Sequence, residues 1–382
     1  MKQDKLPLTG LTALSLAGFL AMMTETLPAG LLPSISESLH ISEANAGQLV
    51  TIYAVGSILA AIPVIAATKT WPRKRLFMTA LAIFAIFNTL TAVLPYYWMT
   101  LIARFAVGIG GGVVWGMLAG YSQRLVPPHM VGRAMSIALM GTPIALSFGI
   151  PVGTWLGNLL GWRIVFGIMS AFAVLLLVMV WRTLPDFPGI DSKSDITYRK
   201  VWTTPSVRPL LLVTLFWIGA HNGFYTYIAP FLSAHHVSHV DLSLLIFGIA
   251  SVVSLIFVGM WIDAHLKLVA MGALGLFIIT ALLFVFTQGA IMTNILMALW
   301  GLSFGGAAGI IQASLSRHVS LDALDLVMSL NTTMWNSAIA LGGIFGGLLV
   351  QTGHITSFPW AVAILALVAL LLVNKNIATT KK

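Results

Sequence analysis

Read for alternation of apolar and polar stretches, the chain breaks into long apolar runs separated by short polar or basic connections. A helix that crosses a bilayer needs ~20 mostly apolar residues. On that criterion twelve segments qualify, centred near Phe19, Tyr53, Phe84, Val113, Leu146, Val174, Trp217, Val252, Ile278, Gly301, Ile339 and Leu367. The longest interruption runs from Thr183 to Arg208 and holds Pro185, Pro188, Gly189, Asp191, Lys193, Asp195, Arg199 and Lys200, a composition that cannot bury itself in lipid. The pattern predicts an all-α polytopic membrane protein of twelve transmembrane helices, with an N-terminal six-helix bundle over 1–183, a linker over 184–208 and a C-terminal six-helix bundle over 209–382.

Composition agrees: 58% of the 382 residues are hydrophobic and 8% charged, with a mean hydropathy of +0.96, outside the range of soluble domains. The absence of cysteine excludes a disulfide framework, thiolate metal sites and a cysteine nucleophile. The net charge of +9 forms no stripe for nucleic acid; it follows the connections. Lys69, Arg73, Lys74, Arg75, Arg124, Arg133, Arg182 through Arg208, Lys267 and Arg317 fall on one side. The other side holds Arg163 with Glu37, Glu43 and Asp241. The positive-inside rule then places both termini and the linker in the cytoplasm. The first run follows Lys2 and Lys5 like a secretory leader, but it is too long, contains Glu25 and lacks a small-residue cleavage site, so it reads as a permanent helix.

The two halves are repeats. Adding 193 to Gly108, Gly112 and Gly116 gives Gly301, Gly305 and Gly309; adding it to Gly149 and Gly153 gives Gly342 and Gly346; Arg124 goes to Arg317. Near the start of each half the offset is 197, taking Pro33 to Pro230 and Glu25 to Asn222. Glycines four apart lie on one helix face and admit a neighbouring backbone. Gly108, Gly112, Gly149, Pro151 and Gly153 are therefore expected to line smooth contacts on which similar bundles can pivot about a midplane cavity; static packing is the alternative.

Four pieces of sequence carry a resemblance: Arg104-Phe-Ala-Val-Gly108-Ile-Gly110, Gly149-Ile-Pro151-Val-Gly153, Gly161-Trp162-Arg163 with Phe166, and Thr24-Glu25 with Gly30-Leu31-Leu32-Pro33. They resemble the Major Facilitator Superfamily, and within it the drug:proton antiporter branch with its sugar and arabinose efflux-like members. The first is similar to the fourth-helix motif, the second to a variant of the fifth-helix antiporter motif, whose usual form has proline directly after glycine, the third to the sixth-helix start, and the fourth to first-helix sequences of this branch. The loop between helices two and three departs from the pattern. Its basic part survives as Arg73, Lys74 and Arg75, but Pro63 and Ala67 or Thr68 stand near the usual glycine and aspartate. Gly259, Asp263 and Lys267 form a better copy between helices eight and nine. The resemblance implies a cytoplasmic gate at Arg73, Arg75, Asp263 and Lys267, a role for Arg104 in proton coupling, and a monomer in a bacterial-type inner membrane.

Among the Asp and Glu residues, Glu25 is the one set well inside a predicted span. A mid-membrane carboxylate costs at least ~3 kcal/mol unless it is protonated or paired. Glu25 is thus the candidate proton carrier, the alternative being a neutral acid that fixes helix packing. Arg104 cannot shed its charge and must face a cavity, a partner or backbone carbonyls. Tyr53, Asn88, Trp115, His221, Asn222, Tyr225, Asn331 and Trp335, with Tyr227 and Asn336, are candidate lining for a cavity that holds a neutral or amphiphilic compound. His235, His236 and His239 have no supporting cluster beyond Asp241, which argues against zinc. No Walker loop, G-x-S-x-G or H-E-x-x-H occurs. The expected protein is a secondary transporter that exports a small organic compound against protons, with no cofactor, no metal and no catalytic residue. Nutrient import on the same fold and, more remotely, a multi-span enzyme or sensor using Glu25 and His221 stay open.

Overall fold

The computed structural model describes residues 6–64, 67–68, 70–127, 130–189, 201–287, 289–319 and 324–377, and these are helical with no strand among them. Two compact units form, one of Met1–His40 with Ile52–Ser192, the other of Ile41–Thr51 with Lys193–Lys382. Residues 190–200 of the expected linker lie outside the described residues.

In the first unit α1 (Leu8–Gly30) carries Pro28 in its last turn and ends at Leu31; α2 (Leu32–Leu39) follows directly, with Pro33 in its first turn, where no helical N–H is needed. Helix α3 (Glu43–Leu59), whose residues up to Thr51 count with the second unit, widens into a π-helical turn, Ala60–Val64, around Pro63, whose ring cannot continue a regular ladder. Then come α4 (Arg73–Val93) and α5 (Tyr97–Arg124). The fifth apolar run is broken into α6 (Val131–Leu139), α7 (Gly141–Ile144), a π turn over Ala145–Gly149 and α8 (Ile150–Leu160). Gly161 alone joins α8 to α9 (Trp162–Thr183), at φ 93°, a conformation that favours glycine.

The second unit repeats the plan with α10 (Val207–Thr226), α11 (Ile228–Ala234), α12 (Val240–Val285), α13 (Ala290–Phe304), α14 (Ala307–Ser316), α15 (Leu324–Gln351) and α16 (Phe358–Asn376). Helices eight and nine have no loop between them: α12 bends at His265, where φ −134° and ψ 37° leave the helical region. Ten helices among the described residues are long and apolar enough to cross a bilayer. The second and seventh expected spans, α3 and α10, are helical too but more polar. Helix α3 is only 17 residues long, with Glu43, Asn45, Gln48 and Thr51 in its first half, and α10 ends in the polar patch from His221.

The glycine rows bring helices of the same unit to backbone contact. A methyl group on Gly108 would strike the Tyr53 carbonyl of α3, and one on Gly112 the Ser57 carbonyl; in the second unit Gly301 and Gly305 stand in the same way against the carbonyls of Phe247 and Ser251. Gly149 and Gly153 leave room for Met23 and Leu27 of α1. The 193-residue repeat extends to a polar tie. Lys74 Nζ donates to the Trp181 carbonyl at 2.7 Å, and Lys267 Nζ donates to the Asn374 carbonyl at 2.7 Å, each fixing the start of a third helix to the end of a sixth. Faces turned away from these contacts stay apolar: α9 buries Phe166, Met169 and Val180 while exposing Ile164, Ile168 and Leu175, as a helix bordered by lipid should.

Candidate functional site

In the first unit α1, α3, α5 and α9 converge on one buried polar centre. Glu25 lies three residues before Pro28, which lacks the N–H that would serve the Thr24 carbonyl, so α1 loses a rung of its ladder here. The Glu25 side chain is buried, 6% exposed, and its Oε2 accepts a hydrogen bond from Trp115 Nε1 of α5 at 3.3 Å. Arg104, fully buried, sits three helical turns earlier on α5. Its Nη2 donates to the Glu25 backbone carbonyl at 3.5 Å, and its guanidinium lies 5.0 Å from the Tyr53 ring centre and 5.7 Å from that of Phe166. The cation is thus held by a peptide dipole and two aromatic faces, the solutions open to a charge that cannot leave. Beside Glu25, Thr24 Oγ1 accepts from Asn88 Nδ2 of α4 at 3.2 Å.

Glu25, Arg104, Tyr53 and Trp115 are therefore brought together, with Asn88 one residue away. Trp115 alone of this group is part-buried; Tyr53 and Asn88 are fully enclosed. Phe166 belongs to the same centre; it stood in the sixth-helix motif, but nothing in its spacing tied it to Arg104.

Among the described residues, no charged side chain of the second unit is buried as Glu25 and Arg104 are. The unit's Asn222, the repeat position of Glu25, turns Nδ2 back to the Ile218 carbonyl of its own helix at 3.2 Å. One residue away, His221 packs into an aromatic cluster, its ring 3.4 Å from that of Phe304 and 5.2 Å from that of Trp300, with Tyr225 and Phe247 beside it. Asn331 Oδ1 accepts from Thr214 Oγ1 at 2.7 Å, and Trp335 is half-buried on the same helix. Phe247 stands to Gly301 as Tyr53 stands to Gly108, a correspondence that neither the 193 nor the 197 offset predicts. Also in this unit, Tyr227 OH donates to the Gly343 carbonyl at 2.9 Å and accepts from Gln48 Nε2 at 3.2 Å, its ring filling the space left by Gly47 and Gly346.

At the expected gate, the basic cluster opens α4. The Arg73 N–H donates to the Phe187 carbonyl at 2.8 Å and the Lys74 N–H to Asp186 Oδ1 at 3.0 Å, so a carboxylate sits at the helix N-terminus, where the aligned peptide dipoles favour it. Tyr121 OH donates to the Pro185 carbonyl at 2.6 Å, and the Arg75 guanidinium lies 5.6 Å from the Trp71 ring centre. Asp186 lies just past the end of α9, whereas the sequence pattern sought an aspartate on the loop before α4. The side chain of Asp263 lies outside the described residues; Lys267 makes the tie to Asn374 already given. Among the described residues no group of three or more His, Asp or Glu is arranged to hold a metal ion.

Comparison with known proteins places the chain in a family. The family model described as Major Facilitator Superfamily matches residues 14–343 and 245–379. A probable sugar efflux transporter of Haemophilus influenzae is 27% identical over 379 residues, covering 97% of this chain and 93% of its own. An uncharacterized MFS-type transporter of Bacillus subtilis, YbcL, is 29% identical over 363 residues, covering 94% and 93%. Among solved structures, a D-xylose-proton symporter superposes with a TM-score of 0.79 at 15% identity, covering 99% of both chains, and the nucleoside transporter NupG with 0.74 at 16%, covering 99% and 100%. The all-helical chain, its apolar spans and these matches lead to one conclusion: it belongs to the Major Facilitator Superfamily and is a multi-pass membrane transporter rather than an enzyme.

Proposed function

We propose that this transporter is a proton-coupled antiporter that exports a small neutral polar compound of the sugar class by alternating access. The observation that carries the reading is Glu25: an acid buried in a spanning helix, held at its carboxylate by Trp115 and at its backbone by Arg104. An acid so placed can take a proton from one side and yield it to the other. The names of relatives in Haemophilus influenzae and Helicobacter pylori, probable sugar efflux transporters, support the substrate class and the direction. In this reading the bundles 1–183 and 209–382, joined by the linker 184–208, act as one monomer in a bacterial-type inner membrane with both termini cytoplasmic. Proton and substrate are its small-molecule partners. Arg104 sets the charge balance at Glu25. Asn88 and Trp115 in the first unit, and His221, Asn222, Tyr225, Asn331 and Trp335 in the second, are the candidate substrate contacts. One proton moving through ~100 mV supplies ~2.3 kcal/mol, which sustains a roughly fifty-fold gradient of a neutral substrate.

The test is proton movement in proteoliposomes of wild type and Glu25→Gln, screened with pentoses, hexoses, nucleosides and antibiotics. One compound is expected to drive proton flux through wild type, while the Gln variant binds and exchanges it without moving protons. Normal coupling in the Gln variant would assign Glu25 to packing. Counterflow into inverted vesicles separates export from import.

A further inference from the structure

The tie between Trp115 and Glu25 joins a buried side chain, 6% exposed, to an indole that is part-buried rather than enclosed. The indole lies along α1: its six-membered ring reaches Gly18, where a side chain would begin 4.0 Å from Cζ3, and its Nε1 reaches Glu25 at 3.3 Å. Gly18 and Glu25 are seven residues apart, two turns on one face of α1, so the ring lies along that face beside Leu118 with its N–H on the Glu25 carboxyl group.

That anchor depends on charge. An N–H bound to a carboxylate makes a charge-assisted hydrogen bond, roughly twice as strong as one to a neutral acid. Among the described residues, the charged or titratable groups that face Glu25 from the helices around α1 are Arg104 of α5 and Tyr53 of α3. Helix α4 presents Asn88, α8 presents Gly153, and α9 presents Phe166 and Met169, none of which titrates. Arg104 Nη2 donates to the backbone carbonyl of Glu25, and Oε2 accepts from the indole.

We propose that Trp115 is the positioning residue that makes proton and substrate exclude each other: ionised Glu25 fixes the indole as a platform for an apolar ring face of the substrate, and protonated Glu25 releases it. Sugars present such faces, and a fixed aromatic ring binds them without a cost of ordering it. Proton uptake at Glu25 therefore lowers substrate affinity and, by linkage, bound substrate holds the proton off. Both cargoes act through one hydrogen bond, which is the coupling an antiporter requires. This inference rests on the reading of Glu25 as the proton carrier.

The first arm of the test needs no substrate. The full chain is labelled with 5-fluorotryptophan in lipid nanodiscs, and the Trp115 fluorine resonance is assigned by its loss in Trp115→Phe, or in Trp115→Tyr if the Phe variant does not fold. On acidification that resonance is expected to shift and narrow in wild type and to stay put in Glu25→Gln. A Trp115 resonance indifferent to pH in wild type overturns the proposal, as does one that moves equally in Glu25→Gln. The second arm titrates arabinose against wild type and Trp115→Phe across the same pH range. Wild-type affinity is expected to fall about tenfold as Glu25 protonates, the equivalent of one hydrogen bond to a charged group, while the Phe variant binds weakly at every pH. Equal pH dependence in both overturns the proposal. Proton flux that survives Glu25→Gln while the Trp115 resonance still follows Glu25 overturns the antiport reading alone.

Discussion

Arg104 meets Glu25 at the backbone, its Nη2 donating to the Glu25 carbonyl at 3.5 Å while the carboxylate oxygen Oε2 accepts from Trp115. The guanidinium needs its planar fork for this, since it must reach that carbonyl while lying over Tyr53 at 5.0 Å and Phe166 at 5.7 Å. A lysine keeps the charge but offers a compact ammonium without the stacking plane. Arg104→Lys is therefore expected to reduce proton-driven transport about tenfold, the loss of one hydrogen bond to a charged group, with the protein still folded. Initial rates in proteoliposomes check this, and wild-type rates would show that charge alone suffices.

The α5 glycines divide sharply. Gly108 faces the Tyr53 carbonyl and Gly301 its counterpart at Phe247, each too close for a methyl group, whereas Gly120 has nothing within 4 Å. Gly108→Ala and Gly301→Ala should each destabilise by ~1–3 kcal/mol through forced separation of helices. Gly120→Ala should be neutral or stabilising by up to ~1 kcal/mol, because alanine is the better helix former. Thermal unfolding of the purified variants in detergent is the measurement; equal effects at Gly108 and Gly120 would contradict the contact.

Lys74 and Lys267 make the same bond in separate units, to the Trp181 and Asn374 carbonyls. Replacing either with methionine should lower stability by ~0.5–1.5 kcal/mol, and the double variant should lose the sum, since distant sites without shared partners add. A double variant that departs from the sum by more than ~0.5 kcal/mol would reveal coupling between the two ties.

Asp186 sits at the N-terminus of α4 through the Lys74 N–H at 3.0 Å. Asp186→Asn keeps an acceptor and removes the charge, so the expected loss is ~0.3–1 kcal/mol, smaller in high salt because the interaction with the helix dipole is screened. Unfolding midpoints at low and high salt test it: a loss that does not change with salt would assign the effect to the hydrogen bond alone.

The spans, the repeat and the two buried charges were legible in the chain because each is a local or periodic property. Hydropathy sums over neighbours, glycines four apart mark a face wherever the helix goes, and a lone carboxylate in an apolar run is costly in any fold. Hydropathy by itself does not show how a span is built: α3 is polar in its first half, and the eighth and ninth spans join at a bend at His265.

Tertiary structure alone decided the partners. Glu25 and Trp115 are 90 residues apart, Gln48 and Tyr227 179, and Lys74 and Asp186 112. No periodicity within a helix states which of several polar side chains lies within 3.3 Å of a given oxygen. That choice depends on the rotation and height of one helix against another, fixed by the collective packing of side chains such as Met23, Leu27 and Tyr53 against glycines. Thus the sequence specified that Glu25 and Arg104 must each be satisfied inside the bundle; only the packed helices determined that an indole and a peptide carbonyl would satisfy them.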